Sequence, residues 1–273
     1  DDMPKIIHQS SATGMQTIPT TGIAQGIQYK ENQGLNTYPK EDNPVIVCSL
    51  GDGSVTEGEI AEAWQMAVLH KYPILYLVQD NEWDISASAK EIRAMDAPEY
   101  AKGFKGLKVI QAKGNDFIDC YSKIREALQY IRERKGPVML HAKVPLLGHH
   151  TSGVRKEWYR DDLEKHQKDD PAPLFHEQLL DFGFELKTLE DLQTKVKHFV
   201  DLEYERALSQ KNPEKNYKPQ GVEFYAISPD FFKRNSTNYT KDLIKSPTFP
   251  SLHKLESNPI SRPMPADEYS LRL

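Results

Sequence analysis

Short apolar runs alternate along the chain with stretches whose apolar positions recur at helical spacing. Residues 45–50 form a β-branched run closed by Gly51 and predict a buried strand. Ile60, Ala63, Trp64, Ala67 and Val68 then repeat on one helical face, and Thr56 with Glu59 three residues later predicts a capping box at that helix's start. Pro73 opens a second apolar run, Ile74 to Val78. Leu107 to Gln111 predicts a third strand, and Phe117, Cys120, Tyr121, Ile124, Leu128 and Ile131 mark a long amphipathic helix. Pro137 to Pro145 is a further apolar strand. Strands that are apolar throughout, alternating with helices, predict a doubly wound α/β domain: a parallel sheet with helices on both faces.

The pattern changes after Leu147. Residues 148–160 are polar and read as a loop, followed by helices near 172–181 and 188–209. The second helix follows the box Thr188 to Asp191 and places Leu192, Val196, Phe199 and Val200 on one side. Residues 212–273 are rich in Pro, Lys, Asn and Ser without periodicity, and read as an extended tail or linker. The expected division is thus an α/β domain over 1–211 and a tail over 212–273.

A net charge of -5 with no compensating basic stripe argues against nucleic acid as a partner. No apolar run approaches the length of a membrane span, so no membrane partner is expected. Cys48 falls in a predicted strand and Cys120 on a helix face, which suits free thiols in a reducing compartment better than a disulfide or metal pair.

The chemistry is concentrated at two strand ends. Gly51-Asp52-Gly53 closes one strand, and Gln79-Asp80-Asn81 closes the next. In a parallel sheet both lie at the carboxyl edge, where open α/β sheets bind ligands. Asp52 and Asn81 are 29 positions apart (81 minus 52), room for one crossover helix and one strand. A carboxylate, an amide oxygen and the backbone carbonyl of Trp83 make a hard-oxygen set suited to Mg²⁺. Gly51 and Gly53 let a phosphate approach the backbone, and the following helix aims its amides at an anion. Gly-Asp-Gly alone is most often a turn; Asn81 at the matching strand end turns the reading toward a metal site.

The run Gly51-Asp-Gly-Ser-Val-Thr-Glu-Gly-Glu59 with Asp80-Asn-Glu-Trp-Asp-Ile-Ser86 resembles the thiamine-diphosphate motif of the α subunits of 2-oxo acid dehydrogenases, and the resemblance extends over roughly residues 8–205. It departs at Asp80, where the family usually has Asn, and at Trp83, where it usually has Tyr. What the resemblance implies is the thiamine-diphosphate-binding fold, with Asp52, Asn81 and the Trp83 carbonyl on Mg²⁺. Gly51, Gly53, Ser54, Gln79 and Ile85 would lie along the cofactor. It also implies oxidative decarboxylation of a small 2-oxo acid, with acyl transfer to the lipoyl arm of an acyltransferase component. The catalytic glutamate would come from a β subunit or β-like half; Glu57 and Glu59 are accounted for as helix-start residues.

Gly148-His149-His150-Thr151-Ser152, with Tyr159-Arg160 beyond, resembles the family's histidine loop. By that match His150 sits near the diphosphate and the reacting carbon, with His149 in support. The double histidine leans toward branched-chain substrates over pyruvate. Thr151 and Ser152 fall where some relatives are switched off by phosphorylation. Around Ser10 and Gln16 some relatives bind K⁺; Met15 stands where a threonine hydroxyl would be wanted, and a capped loop is the other reading. Residue 1 falls inside the expected domain, so the chain reads as a fragment or as part of a fused α/β polypeptide. A bacterial cytoplasm is the favoured compartment, or the mitochondrial matrix in a eukaryote. The rival readings are a pyruvate, acetoin or other thiamine enzyme, and a non-catalytic scaffold subunit.

Overall fold

The computed structural model describes residues 6–7, 11–36, 38–150 and 155–210. Contacts divide the chain into two units, Asp1–Val196 and Lys197–Leu273. The expected boundary at 211 and the tail beyond it lie outside the described residues.

In order, the elements are α1 (Thr17–Asn32), β1 (Ile46–Gly51), α2 (Gly58–His70), β2 (Ile74–Asp80), β3 (Trp83–Asp84), β4 (Ala87–Ser88), α3 (Ala89–Ile92), α4 (Ala97–Ala101), β5 (Lys108–Lys113), α5 (Phe117–Arg132), β6 (Val138–Lys143), α6 (Leu163–Lys168), α7 (Pro171–Asp181) and α8 (Leu186–Ser209). Among the described residues four strands form a parallel sheet in the order β1-β2-β6-β5, and β3 with β4 make a separate antiparallel hairpin.

Alternate residues of each strand point to opposite faces, and each face has its own core. On one face Cys48, Leu50, Ile74, Tyr76, Val78 and Met139 pack with Ile60, Trp64 and Ala67 of α2 and Ala24 of α1. On the other, Leu75, Ile110, Val138, Leu140 and Ala142 meet Ala127 and Ile131 of α5. The expected α/β sheet covered on both faces is the architecture observed. Trp64 centres the first core, its ring centroid 5.9 Å from Tyr76, 5.7 Å from Tyr100 and 5.2 Å from Phe104.

Central β2 and β6 are buried almost along their length, whereas β1, at an edge of this sheet, leaves Val47 more than half exposed. Both cysteines are free thiols, Cys48 buried and Cys120 half-buried. The apolar stripe expected on α8 exists, with Leu192, Val196, Phe199 and Val200 all exposed.

The start of α2 differs from expectation. No Thr56–Glu59 capping box forms: Thr56 Oγ1 donates to the Gly53 carbonyl at 2.8 Å, closing a 3₁₀ turn over Gly53–Thr56, and Glu57 is the residue preceding the helix. The amides that follow Gly53 therefore belong to a tight turn, with α2 proper beginning at Gly58.

Candidate active site

Parallel pairing places the two motif ends side by side, with Gly51 of β1 opposite Gln79 of β2. One residue further on, Asp52 and Asp80 stand next to each other, both almost wholly buried. Arg93, just after α3, bridges them: Nη1 donates to Asp52 Oδ2 at 2.9 Å and Nη2 to Asp80 Oδ1 at 3.0 Å. The same Nη2 lies 3.2 Å from Asp96 Oδ1, a half-exposed carboxylate.

The neighbours of Asp80 come from β6, whose register sets Val78 opposite His141 and Asp80 opposite Lys143. His141 Nε2 is 2.8 Å and Lys143 Nζ 2.9 Å from Asp80 Oδ2. Burial opposes ionisation of Asp80, but the hydrogen bonds from His141, Lys143 and Arg93 outweigh it and hold the carboxyl far below its usual range. Asp52 goes the other way. Burial and the adjacent Asp80 charge raise it against the pull of Arg93, to about 6. The two carboxylates share one guanidinium, and Asp80 has the better claim on ionisation.

Asn81 turns back on its own chain, its Oδ1 accepting from the Trp83 amide at 2.9 Å. Asp52 and Asn81 sit on neighbouring strand ends, and the guanidinium that Asp52 binds is that of Arg93. Gly53 is required by a close approach: a Cβ there would lie 2.8 Å from Asp84 Cγ. The crowding comes from the β3–β4 hairpin, whereas a Cβ at Gly51 would meet nothing nearer than Ser54 Oγ at 3.7 Å. Ser54 is buried and Gln79 exposed. Ile85, in the hairpin turn, has φ 53°, a left-handed conformation that strains a β-branched residue, and its side chain is 46% exposed.

Trp83 carries a clamp. Its Nε1 donates to Asp162 Oδ2 at 2.8 Å, Tyr159 packs edge-on at 5.4 Å between centroids, and the Arg160 guanidinium lies 5.4 Å from the ring. Arg160 also donates to Asp162 Oδ1 at 2.7 Å and to the Leu146 carbonyl at 2.8 Å, while the Leu146 amide donates to His166 Nδ1 at 2.8 Å. Lys156 Nζ donates to the Leu147 carbonyl, and the Lys156 amide donates to His149 Nδ1 at 3.1 Å. The neck of the histidine loop is thus tied to the hairpin that follows Asn81. His149 and His150 are exposed at its start; Thr151 and Ser152 lie outside the described residues, as does Ser10. Gln16 Nε2 donates to the Ser49 carbonyl at 3.0 Å.

A cleft of about 1010 Å³ runs beside this arrangement, lined by Trp83, Arg93, Lys143, Tyr159, Arg160 and Asp162 among others. Arg93 both lines the cleft and contacts Asp52. Among the described residues, no three His, Cys, Asp or Glu side chains converge on a metal position.

Sequence reasoning missed Arg93, His141 and Lys143. His141 had a signal, an imidazole inside a buried apolar strand; Arg93 lies in a stretch without periodicity and had none.

The family described as Dehydrogenase E1 component matches residues 2–216. The chain belongs to that family. A pyruvate dehydrogenase E1 component subunit alpha of Rickettsia felis is 29% identical over 180 residues, covering 64% of this chain and 55% of its own length. A 3-methyl-2-oxobutanoate dehydrogenase subunit alpha of Mycobacterium tuberculosis is 30% identical over 189 residues, covering 68% and 48%. The chain spans about half the length of these relatives. A solved structure from Mycobacterium smegmatis, described as a thiamin diphosphate-dependent enzyme, is 21% identical, covers 50% of this chain and 23% of its own, and has a TM-score of 0.37. Among the described residues, no helix is long and apolar enough to cross a membrane.

Proposed function

We propose that this chain is the α part of the decarboxylating first component of a 2-oxo acid dehydrogenase complex, and that it binds the magnesium-diphosphate end of thiamine diphosphate. The observation that carries the reading is the pair of strand ends within a family member: Asp52 buried beside Asp80, with Asn81 and the Trp83 backbone following at once.

The donor set fits Mg²⁺. An aspartate, an amide oxygen and a backbone carbonyl are hard ligands. Asn81 Oδ1 retains a lone pair after accepting from the Trp83 amide. The strand ends also draw a positive charge, since Arg93 already lies between the two carboxylates. In this reading Asp52, Asn81 and the Trp83 carbonyl hold the ion, and the turn at Gly53 and Ser54 faces the diphosphate, with Gln79 at its side. Ile85 offers an apolar surface to the cofactor. His150, supported by His149, meets the substrate end. K⁺ is no part of this assignment.

When bound, the cofactor supplies the electron sink for loss of CO₂; the chain supplies binding, orientation and charge. The active site is completed by a β subunit or β-like half, and the acyl group passes to the lipoyl arm of an acyltransferase. A branched-chain 2-oxo acid is the favoured substrate on the double histidine. The relatives carry both pyruvate and 3-methyl-2-oxobutanoate names, and the latter has the branched carbon skeleton.

Turnover of 3-methyl-2-oxobutanoate and of pyruvate, assayed in the native assembly with a lipoyl domain as acceptor, tests the substrate. A higher kcat/KM for the branched acid is expected; the reverse would replace it with pyruvate. Decarboxylation reaching a dye but no lipoyl domain would point to another thiamine enzyme.

A further inference from the structure

We infer that Arg93 is a displaceable counter-ion, holding Asp52 until a divalent cation takes its place and then kept by Asp80 and Asp96. The inference rests on the metal reading above. Its physical basis is the arrangement of charge around one guanidinium.

Asp52 and Asp80 have side chains only 2% and 0% exposed, and two carboxylates so placed need a cation between them. Arg93, itself 5% exposed, is that cation in the protein as described. A metal ion on Asp52 would bring a second positive charge against the guanidinium in a site with little water to screen the repulsion, and an ion that takes Oδ2 needs the position that Nη1 holds at 2.9 Å. One has to leave.

A seat for Arg93 already exists. Nη2 lies 3.2 Å from Asp96 Oδ1, three residues along the same segment, while it also keeps its bond to Asp80. A rotation that gives up the Nη1 bond to Asp52 therefore leaves the guanidinium paired twice. Arg93 also lines the cleft, so its side chain has open space beside it in which to rotate. Asp80 keeps Arg93 in reach throughout, with its other oxygen satisfied by His141 and Lys143.

The test is Mn²⁺ binding, read by electron paramagnetic resonance with thiamine diphosphate present, in the native assembly of the wild type and of Arg93→Met, Asp96→Asn and Asp52→Ala. Arg93→Met should bind Mn²⁺ roughly tenfold more tightly, the scale of one lost hydrogen bond between charged groups. Asp96→Asn should bind it severalfold more weakly, because Arg93, once off Asp52, is then left with Asp80 as its one charged partner. Asp96 is half-exposed, so this variant remains informative if Arg93→Met does not fold. Binding that is abolished by Asp52→Ala but unchanged in the Arg93 and Asp96 variants would overturn the displacement and leave the metal site standing. Absence of Mn²⁺ binding in the wild type would overturn both.

Discussion

His141 Nε2 lies 2.8 Å from Asp80 Oδ2, with both side chains shut away from solvent. An ionised carboxylate can only accept, so the proton of this bond sits on Nε2. Asp80 stands where the resembling family usually has asparagine, and here it gathers His141, Lys143 and Arg93. Replacing it by Asn leaves buried positive charge without its partner. Asp80→Asn should cost about 3 kcal/mol in denaturant unfolding. It should also bring the Asp52 pKa down from about 6, because burial, the larger cause, stays but the neighbouring charge that adds to it is gone. A carbon-detected carboxylate titration reads the second effect; an unmoved Asp52 would contradict the shared-guanidinium account.

Trp83 has two separable parts, a backbone carbonyl proposed to ligate metal and an indole that holds Asp162. Trp83→Phe keeps the first and removes the indole donor. Stability should fall by about 1–2 kcal/mol. Hydrogen exchange should quicken across residues 155–166, while Mg²⁺ affinity stays unchanged. Lost Mg²⁺ affinity with unaltered exchange would place the indole in the wrong role.

Ile85 carries strain that glycine would not. With φ 53° and a half-exposed side chain, Ile85→Gly relieves a backbone penalty while giving up little buried surface. It should stabilise the protein by about 1 kcal/mol and weaken binding of thiamine diphosphate. Urea unfolding and calorimetry measure the two; a variant that is less stable and binds the cofactor normally would refute the assignment.

Asp162 makes stability depend on acid. Burial raises its pKa, but bonds from Arg160 and Trp83 prevail and lower it from 3.8 to about 2. The folded value lies below the unfolded one, so the contribution is present above about pH 4 and is lost as pH falls toward 2. Its size is about 2 kcal/mol. Asp162→Asn should lose that stability at neutral pH and show a flatter decline between pH 4 and 2 than the wild type. Parallel acid limbs would contradict it.

The strands and long helices were legible because each carries a period that only one environment satisfies: β2 and β6 are apolar on both faces and lie in the middle of the sheet. The side-by-side placement of the two motif ends, at Asp52 and at Gln79 to Asn81, followed from the same pattern, since neighbouring parallel strands align their ends; the buried pairing of Asp52 with Asp80 was not foreseen. The capping box failed because the Thr56 hydroxyl bonds to the Gly53 carbonyl within the 3₁₀ turn, a local alternative that the Thr-x-x-Glu spacing does not distinguish. The short hairpin β3–β4 and helices α3 and α4 are too brief to show a period, and Arg93 sits among them. The site's charge balance was therefore hidden, because it depends on a residue 41 positions from Asp52 in a segment without pattern.

The most direct measurement is calorimetric titration of thiamine diphosphate with Mg²⁺ into the native assembly, beside Asp52→Ala. Saturable binding that requires Mg²⁺ and disappears in the variant is the predicted result. A well-folded, complete assembly that binds no thiamine diphosphate would contradict the cofactor assignment and leave a scaffold subunit as the reading.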